Sequence, residues 1–154
     1  SFLTLTPLKL KENIMDKNSL QINKYSQQDE AKLIQFWRDA FPHDPAHNAP
    51  DKMIKAKLAV DDLIYLVKYE GCIVGACMVG YDGHRGWLYA VAIATSHRRL
   101  GIGKRLVTHA IQELKSMGCI KLNLQIRADN TQVASFYQSL GFEVEERLSM
   151  GRFI

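Results

Sequence analysis

What this 154-residue chain lacks narrows the reading before any motif is considered. No stretch approaches the ~18 consecutive apolar residues of a membrane-spanning helix, so a soluble protein with no membrane partner is expected. Cysteine is sparse and odd in number: Cys72, Cys77 and Cys119 form no Cys-x-x-Cys pair, which argues against a disulfide framework. Two of them sit in apolar strand context, and the expectation is buried, reduced thiols in a cytoplasmic protein. Charge is not concentrated either. The net charge of +4 favours anionic ligands, but the basic residues are spread along the chain, so no nucleic-acid partner is expected. His43 and His47 share a proline-bearing loop without a carboxylate or cysteine set beside them, so no metal is expected.

With 47% apolar and 23% charged residues, the chain suits one domain with a real core. Residues 1–18 show no sustained period and read as a tail, in part a remnant ahead of a natural start at Met15, or else as an added edge strand. A single domain over 19–154 is expected. Leu20 and Ile22 suggest a first strand, and Ser26-Gln-Gln-Asp29 is a capping-box variant opening a helix that carries Leu33, Ile34, Trp37 and Phe41 at core spacing. Pro50 or Asp51 starts a second helix through about Val60, with Met53, Ala56, Lys57 and Val60 at helical intervals. Leu63–Tyr69 and Cys72–Tyr81 form a hairpin about Glu70-Gly71, and Trp87–Ala94 adds a third strand.

Gly103–Met117 is the strongest helix, with Leu106, Val107, Ala110, Ile111 and Leu114 on one face and Gly118 as its stop. Ile120, Leu122, Leu124 and Ile126 alternate with polar residues as a strand, Asp129 or Asn130 caps a helix through Leu140, and Phe142–Glu146 and Leu148–Phe153 close the chain as strands. The order gives an α+β fold with a mixed, mostly antiparallel sheet flanked by helices.

Two turns carry candidate chemistry. Asp82-Gly-His-Arg-Gly86 fits ordinary turn chemistry, yet an aspartate, an imidazole and a fixed cation there could also bind an acceptor or supply a base, through His84 or Asp82. The stretch from Val91 to Lys104 runs from an apolar strand through a basic turn to Gly101 and Gly103 at a helix start. The first N–H groups of a helix lack internal acceptors and sit at the positive end of its dipole, so an anion such as phosphate is favoured there. Two glycines also fit a tight turn, and Arg98 and Arg99 also fit solvated cations. The dinucleotide fingerprint Gly-x-Gly-x-x-Gly is missing, as is the Lys-Ser/Thr ending of an ATP loop, since Lys104 is followed by Arg105.

Arg98-x-x-Gly101-x-Gly103 resembles the pyrophosphate loop of the GNAT N-acetyltransferases, whose signature is Arg/Gln-x-x-Gly-x-Gly/Ala. The element order and Asn130-Thr-Gln-Val-Ala-Ser-Phe-Tyr137-Gln-Ser-Leu-Gly141-Phe142 extend the resemblance over nearly everything after Leu20. Gly80-Tyr-Asp-Gly-His-Arg-Gly86 and Leu148-Ser-Met-Gly-Arg-Phe-Ile154 are similar to the YpeA-like group within that family. The resemblance implies an N-acetyltransferase with acetyl-CoA as co-substrate. Val91, Ala92 and Ile93 would line the pantetheine arm, with Val91 and Ile93 offering backbone groups. Arg98, Arg99, Leu100, Gly101, Ile102, Gly103 and Lys104 would hold the pyrophosphate, and Asn130 would contact the arm. Tyr137 would protonate the departing thiolate, as a phenol of ordinary pKa (about 10) can at neutral pH. The helical pair after the first strand would form one wall of the acceptor pocket.

The base departs from several relatives. No carboxylate lies between Trp87 and His97, where the histone-modifying branch carries a glutamate, and Gln125 stands where the ribosomal-protein-acetylating branch has one. Direct action of His84 or Asp82, a water relay, and an acceptor of low amine pKa all stay open. The acceptor is a small amine, an amino acid derivative, or a peptide or protein amine. A catalytically idle acetyl-CoA-binding module is the alternative, and a homodimer through exposed terminal strands is a family-level expectation.

Overall fold

A computed structural model of the chain describes residues 19–154, so both readings of the first eighteen residues lie outside the described residues. The chain divides into two compact units, one ending at Leu124 and the other spanning Gln125–Ile154.

The first unit is a five-stranded sheet with helices on both faces. Its strands are β1 (Leu20–Lys24), β2 (Ile64–Tyr69), β3 (Cys72–Tyr81), β4 (Gly86–Ile93) and β5 (Leu122–Asn123), paired in that order. All neighbours are antiparallel except β4 and β5, which run parallel. Glu70 and Gly71 both take positive φ, 51° and 77°, as a two-residue hairpin turn between twisted strands demands.

Helices α1 (Glu30–Ala40) and α2 (Pro50–Leu58) cover one face of the sheet. Leu33, Trp37 and Ile54 pack there on Ile64, Leu66, Ala76, Met78 and Ala92, and full burial of each large side chain contributes about 2 kcal/mol. The aromatic stripe is therefore core, as its spacing implies. The capping box forms, with the Asp29 carboxylate accepting from the Ser26 N–H at 3.0 Å and the Ser26 hydroxyl at 3.1 Å. Lys68 donates to its other oxygen at 2.6 Å. On α2 the pattern shifts: Ile54 and Lys57 are the buried residues, while Val60 lies beyond the helix and is 82% exposed. Lys57 keeps its charge compensated, donating to the Val79 carbonyl at 2.6 Å and pairing with Asp61 at 2.7 Å.

Helix α3 (Ile102–Ser116) covers the opposite face with Ile102, Leu106, Val107, Ala110 and Leu114. Gly86 lets the start of β4, the end of α3 and β5 close up, because a Cβ there would stand 2.8 Å from the Cys119 sulfur and 3.3 Å from Leu114 and Leu122.

Three expectations are corrected. The strand drawn from Ile120 to Ile126 pairs only at Leu122 and Asn123, and Ile120 is 83% exposed. Alternation alone makes the segment able to extend, and only Gly86 and Trp87 of β4 pair with it. The segments 142–146 and 148–153 are not strands. Alternation there specifies an extended segment, but a ladder also needs an edge to pair with, and Val144, Leu148, Met150 and Phe153 remain exposed. Of the cysteines, Cys77 alone is buried, and burial pushes its thiol up to about 12; Cys72 is exposed and Cys119 half-buried.

The second unit is built on α4 (Thr131–Ser139). No described helix is long and apolar enough to cross a membrane.

Candidate active site

The chemistry-bearing residues of the first unit lie at the two ends of β4. On one side β4 is paired with β3 along its length, interrupted by a bulge at Ala90 and Val91; on the other its ladder to β5 covers only Gly86 and Trp87. Among the described residues no strand pairs with that side of β4 from Leu88 to Ile93. Such an edge offers backbone N–H and C=O groups to an extended ligand with amides of its own.

Beyond Ile93 the chain makes a short turn of 3-10 helix at Thr95–His97 and reaches the basic loop. Leu100 and Ile102 are buried and anchor it, while Arg98, Arg99, Gly101 and Lys104 face solvent. Gly101 stands at the N-cap of α3 with φ 77°, a conformation that favours glycine, and provides no side-chain acceptor. No acidic residue occupies the first turn of α3, so its leading N–H groups have no acceptor from that source. Among the described residues, no carboxylate pairs with Arg98, Arg99 or Lys104. Open donors, free cations and close backbone access fit a diphosphate, and the adjoining strand edge fits the amide-bearing arm of an acyl-CoA.

The turn at the other end of β4 is built differently. The Asp82 carboxylate oxygen accepts from the N–H groups of both His84 and Arg85 at 2.7 Å. These backbone bonds, from Arg85 first and then His84, hold its pKa below the ordinary aspartate value. The Arg85 guanidinium lies 3.4 Å from His84 Nδ1 and also donates to the His84 carbonyl at 3.2 Å. Gly86 and Val91 are separated by about 16 Å of strand, and His84 lies beyond Gly86. The structure thus brings Asp82 and His84 together but does not bring either to Val91.

In the second unit, Asn130 is the N-cap of α4, its Oδ1 accepting from the Val133 N–H at 3.3 Å. Tyr137 is buried, its ring edge-on to Phe136 at 5.0 Å and to Phe142 at 5.5 Å. Gln125 donates to the Ser149 hydroxyl at 2.6 Å.

A sequence profile of the acetyltransferase (GNAT) family matches residues 30–142. The chain belongs to this family. It is an acetyl-CoA-dependent N-acetyltransferase, with acetyl-CoA as its co-substrate. An acetyltransferase of Yersinia pestis (strain Pestoides F) is 33% identical over 134 residues, which cover 86% of this chain and 94% of the relative. One of Sodalis glossinidius is 34% identical over 128 residues, or 82% of this chain and 89% of the relative. Among solved structures, AAC(6')-Iy in complex with the bisubstrate analog CoA-S-monomethyl-acetylneamine superposes with a TM-score of 0.74 at 18% identity, covering 88% of this chain and 98% of that one. The ribosomal-protein-S18-alanine N-acetyltransferase from Escherichia coli does so at 0.71 and 22% identity, covering 80% and 77%. At these identities the likeness to the solved structures concerns the GNAT fold alone.

One residue that the sequence reading left in the core has a polar role at this site. Trp37 Nε1 donates to the Ala90 carbonyl, in the middle of β4, at 2.9 Å. Its helical spacing marked the ring as apolar, and nothing local signals a partner 53 residues away.

Proposed function

We propose that this GNAT acetyltransferase, a single domain over 19–154 of the YpeA-like group, moves the acetyl group to a primary amine by direct attack within a ternary complex. The observation that carries the reading is the unpaired edge of β4 running into an uncapped, cation-bearing helix start. When bound, acetyl-CoA supplies an activated acetyl group as a thioester. Backbone groups of Val91 and Ile93, with Ala92 between them, hold its arm, and Arg98 through Lys104 hold its pyrophosphate. The spare amide of Asn130 contacts the arm while its oxygen caps α4. Tyr137 keeps a phenolic proton available for the departing sulfur.

The amine must be neutral to attack, and no residue of β4 is a carboxylate. The bonds on Asp82 and the length of β4 favour a water relay or an acceptor of low amine pKa over direct proton abstraction by Asp82 or His84. In that arrangement Asp82 shapes the turn and His84 meets the acceptor or the end of the relay. The acceptor is a small amine, an amino acid derivative, or a peptide or protein amine, received beside α1 and α2. Three free cysteines accord with a cytoplasmic setting, and the exposed apolar residues after Val144 accord with a homodimer.

Thermal unfolding with acetyl-CoA, CoA, NADH and ATP tests the site. Ligand at a hundredfold over its dissociation constant should stabilise the fold by about 2.7 kcal/mol. A rise in Tm with acetyl-CoA and CoA alone is the expected result; no rise with either sinks the loop assignment.

A further inference from the structure

We propose that Trp37 is a positioning residue for acetyl transfer, acting through the peptide that joins Ala90 to Val91. The proposal rests on the assignment of the Val91 backbone to the acetyl-CoA arm.

The bulge in β4 is where this matters. Ala76 pairs with Ala92 and Met78 with Tyr89, so Ala90 and Val91 together face the single residue Cys77. Two residues against one interrupt the ladder, and Ala90 adopts φ 53°, which L side chains rarely hold. A peptide displaced in this way has lost part of what would fix its plane. Its carbonyl has been taken up by the indole N–H of Trp37, fully buried on α1. The ring is fully buried in one core cluster with Leu33, Ile54, Met78 and Ala92, and close packing restrains it.

The peptide joining Ala90 to Val91 is trans, as are all others among the described residues, so the carbonyl of Ala90 and the N–H of Val91 point in opposite directions from one plane. Fixing the carbonyl on Trp37 therefore fixes the direction of the Val91 N–H. That donor serves an extended ligand only if it is aimed before binding, since small misplacements of a positioning group cost affinity and rate out of proportion to their size. A phenylalanine would fill much of the same core. The indole adds a donor at the one place where β4 has loosened its own ladder.

Lys57 supplies a built-in comparison. It also ties a helix of this layer to a strand carbonyl, but its partner is Val79 on β3, paired with Leu88 past the end of the bulge, and not a carbonyl of the bulged peptide. If such bonds only hold helices to the sheet, cutting either should act alike.

The test measures dissociation constants by calorimetry on the full chain for two ligands: CoA, and 3′-phosphoadenosine 5′-diphosphate, which has the pyrophosphate but no arm. Trp37→Phe should weaken CoA about fivefold to tenfold, the worth of one hydrogen bond, and leave the fragment unchanged. Lys57→Met should change neither constant. Benzothienylalanine placed at position 37 alone keeps the ring volume and replaces the N–H by sulfur; it should reproduce the Trp37→Phe result and serves if the phenylalanine variant folds poorly. Unchanged CoA binding in both variants overturns the proposal, and so does equal weakening of both ligands, which would mark a general loss of structure. Wild-type protein that binds the fragment but gains nothing from the arm overturns the underlying assignment of Val91, and is recognised without any variant.

Discussion

The two turns that flank β4 look alike as sequence and differ as structure. Both carry histidine, arginine and glycine. The turn at Asp82–Arg85 also carries a carboxylate, which takes up the N–H groups of His84 and Arg85. The turn at Thr95–Gly101 has no carboxylate, ends on Gly101 at φ 77°, and leaves the first N–H groups of α3 without a side-chain cap. The lesson concerns donors: a turn that contains its own anion is complete, whereas one that lacks it is open to an anion from outside.

The contrast can be broken or sharpened by substitution. The largest effect should come from outside both turns. If they only shape and bind, Tyr137→Phe should lower kcat about a thousandfold while the CoA dissociation constant holds, as expected for loss of a general acid. Unchanged turnover would return Tyr137 to the aromatic packing in which it sits with Phe136 and Phe142. Next, Gly101→Asp makes the second turn resemble the first by giving α3 an N-cap carboxylate. CoA binding should weaken about a hundredfold in a titration, through lost donors, charge repulsion and an L residue at positive φ. Binding that survives intact would place the diphosphate elsewhere.

Smaller again, Arg98→Ala and Arg99→Ala should each weaken CoA about tenfold at low salt and by less in 0.5 M salt, because exposed charges are screened. A loss that ignores salt would point to loop structure instead of charge. The smallest change is expected from Asp82→Ala, which opens the first turn without making it a CoA site. CoA affinity should stay within about twofold, with a slight fall in Tm. Its pH signature follows from the lowered folded pKa of Asp82. The stabilisation is fully present above the unfolded aspartate value of about 4 and is lost as pH falls through the lower folded value. Wild-type and variant Tm curves should therefore converge in that acid range, and curves that stay parallel would show that the carboxylate does not hold the turn.

Features whose cause is local were legible in the sequence. The hairpin at Glu70-Gly71, the capping box at Ser26–Asp29, the face of α3 and the cap at Asn130 each depend on residues a few positions apart. The glycine N-cap of α3 and the cations before it belong to this class, since they are contiguous. Pairing was not legible, because alternation in Ile120–Ile126 or Leu148–Phe153 says that a segment can be extended without saying what lies beside it. Nor was separation along β4, which keeps His84 far from Val91 although the two are close in sequence.

By itself the sequence determined which residues seek the interior, where turns and helix ends fall, and which loop has donors and cations to offer an anion, because these follow from side-chain chemistry and short-range periodicity. Tertiary structure alone decided where the β4 ladder stops, and that a core tryptophan reaches the bulged carbonyl of Ala90. Hydrogen-bond donors and acceptors find their partners through space, and the chain brings together residues that no local pattern connects.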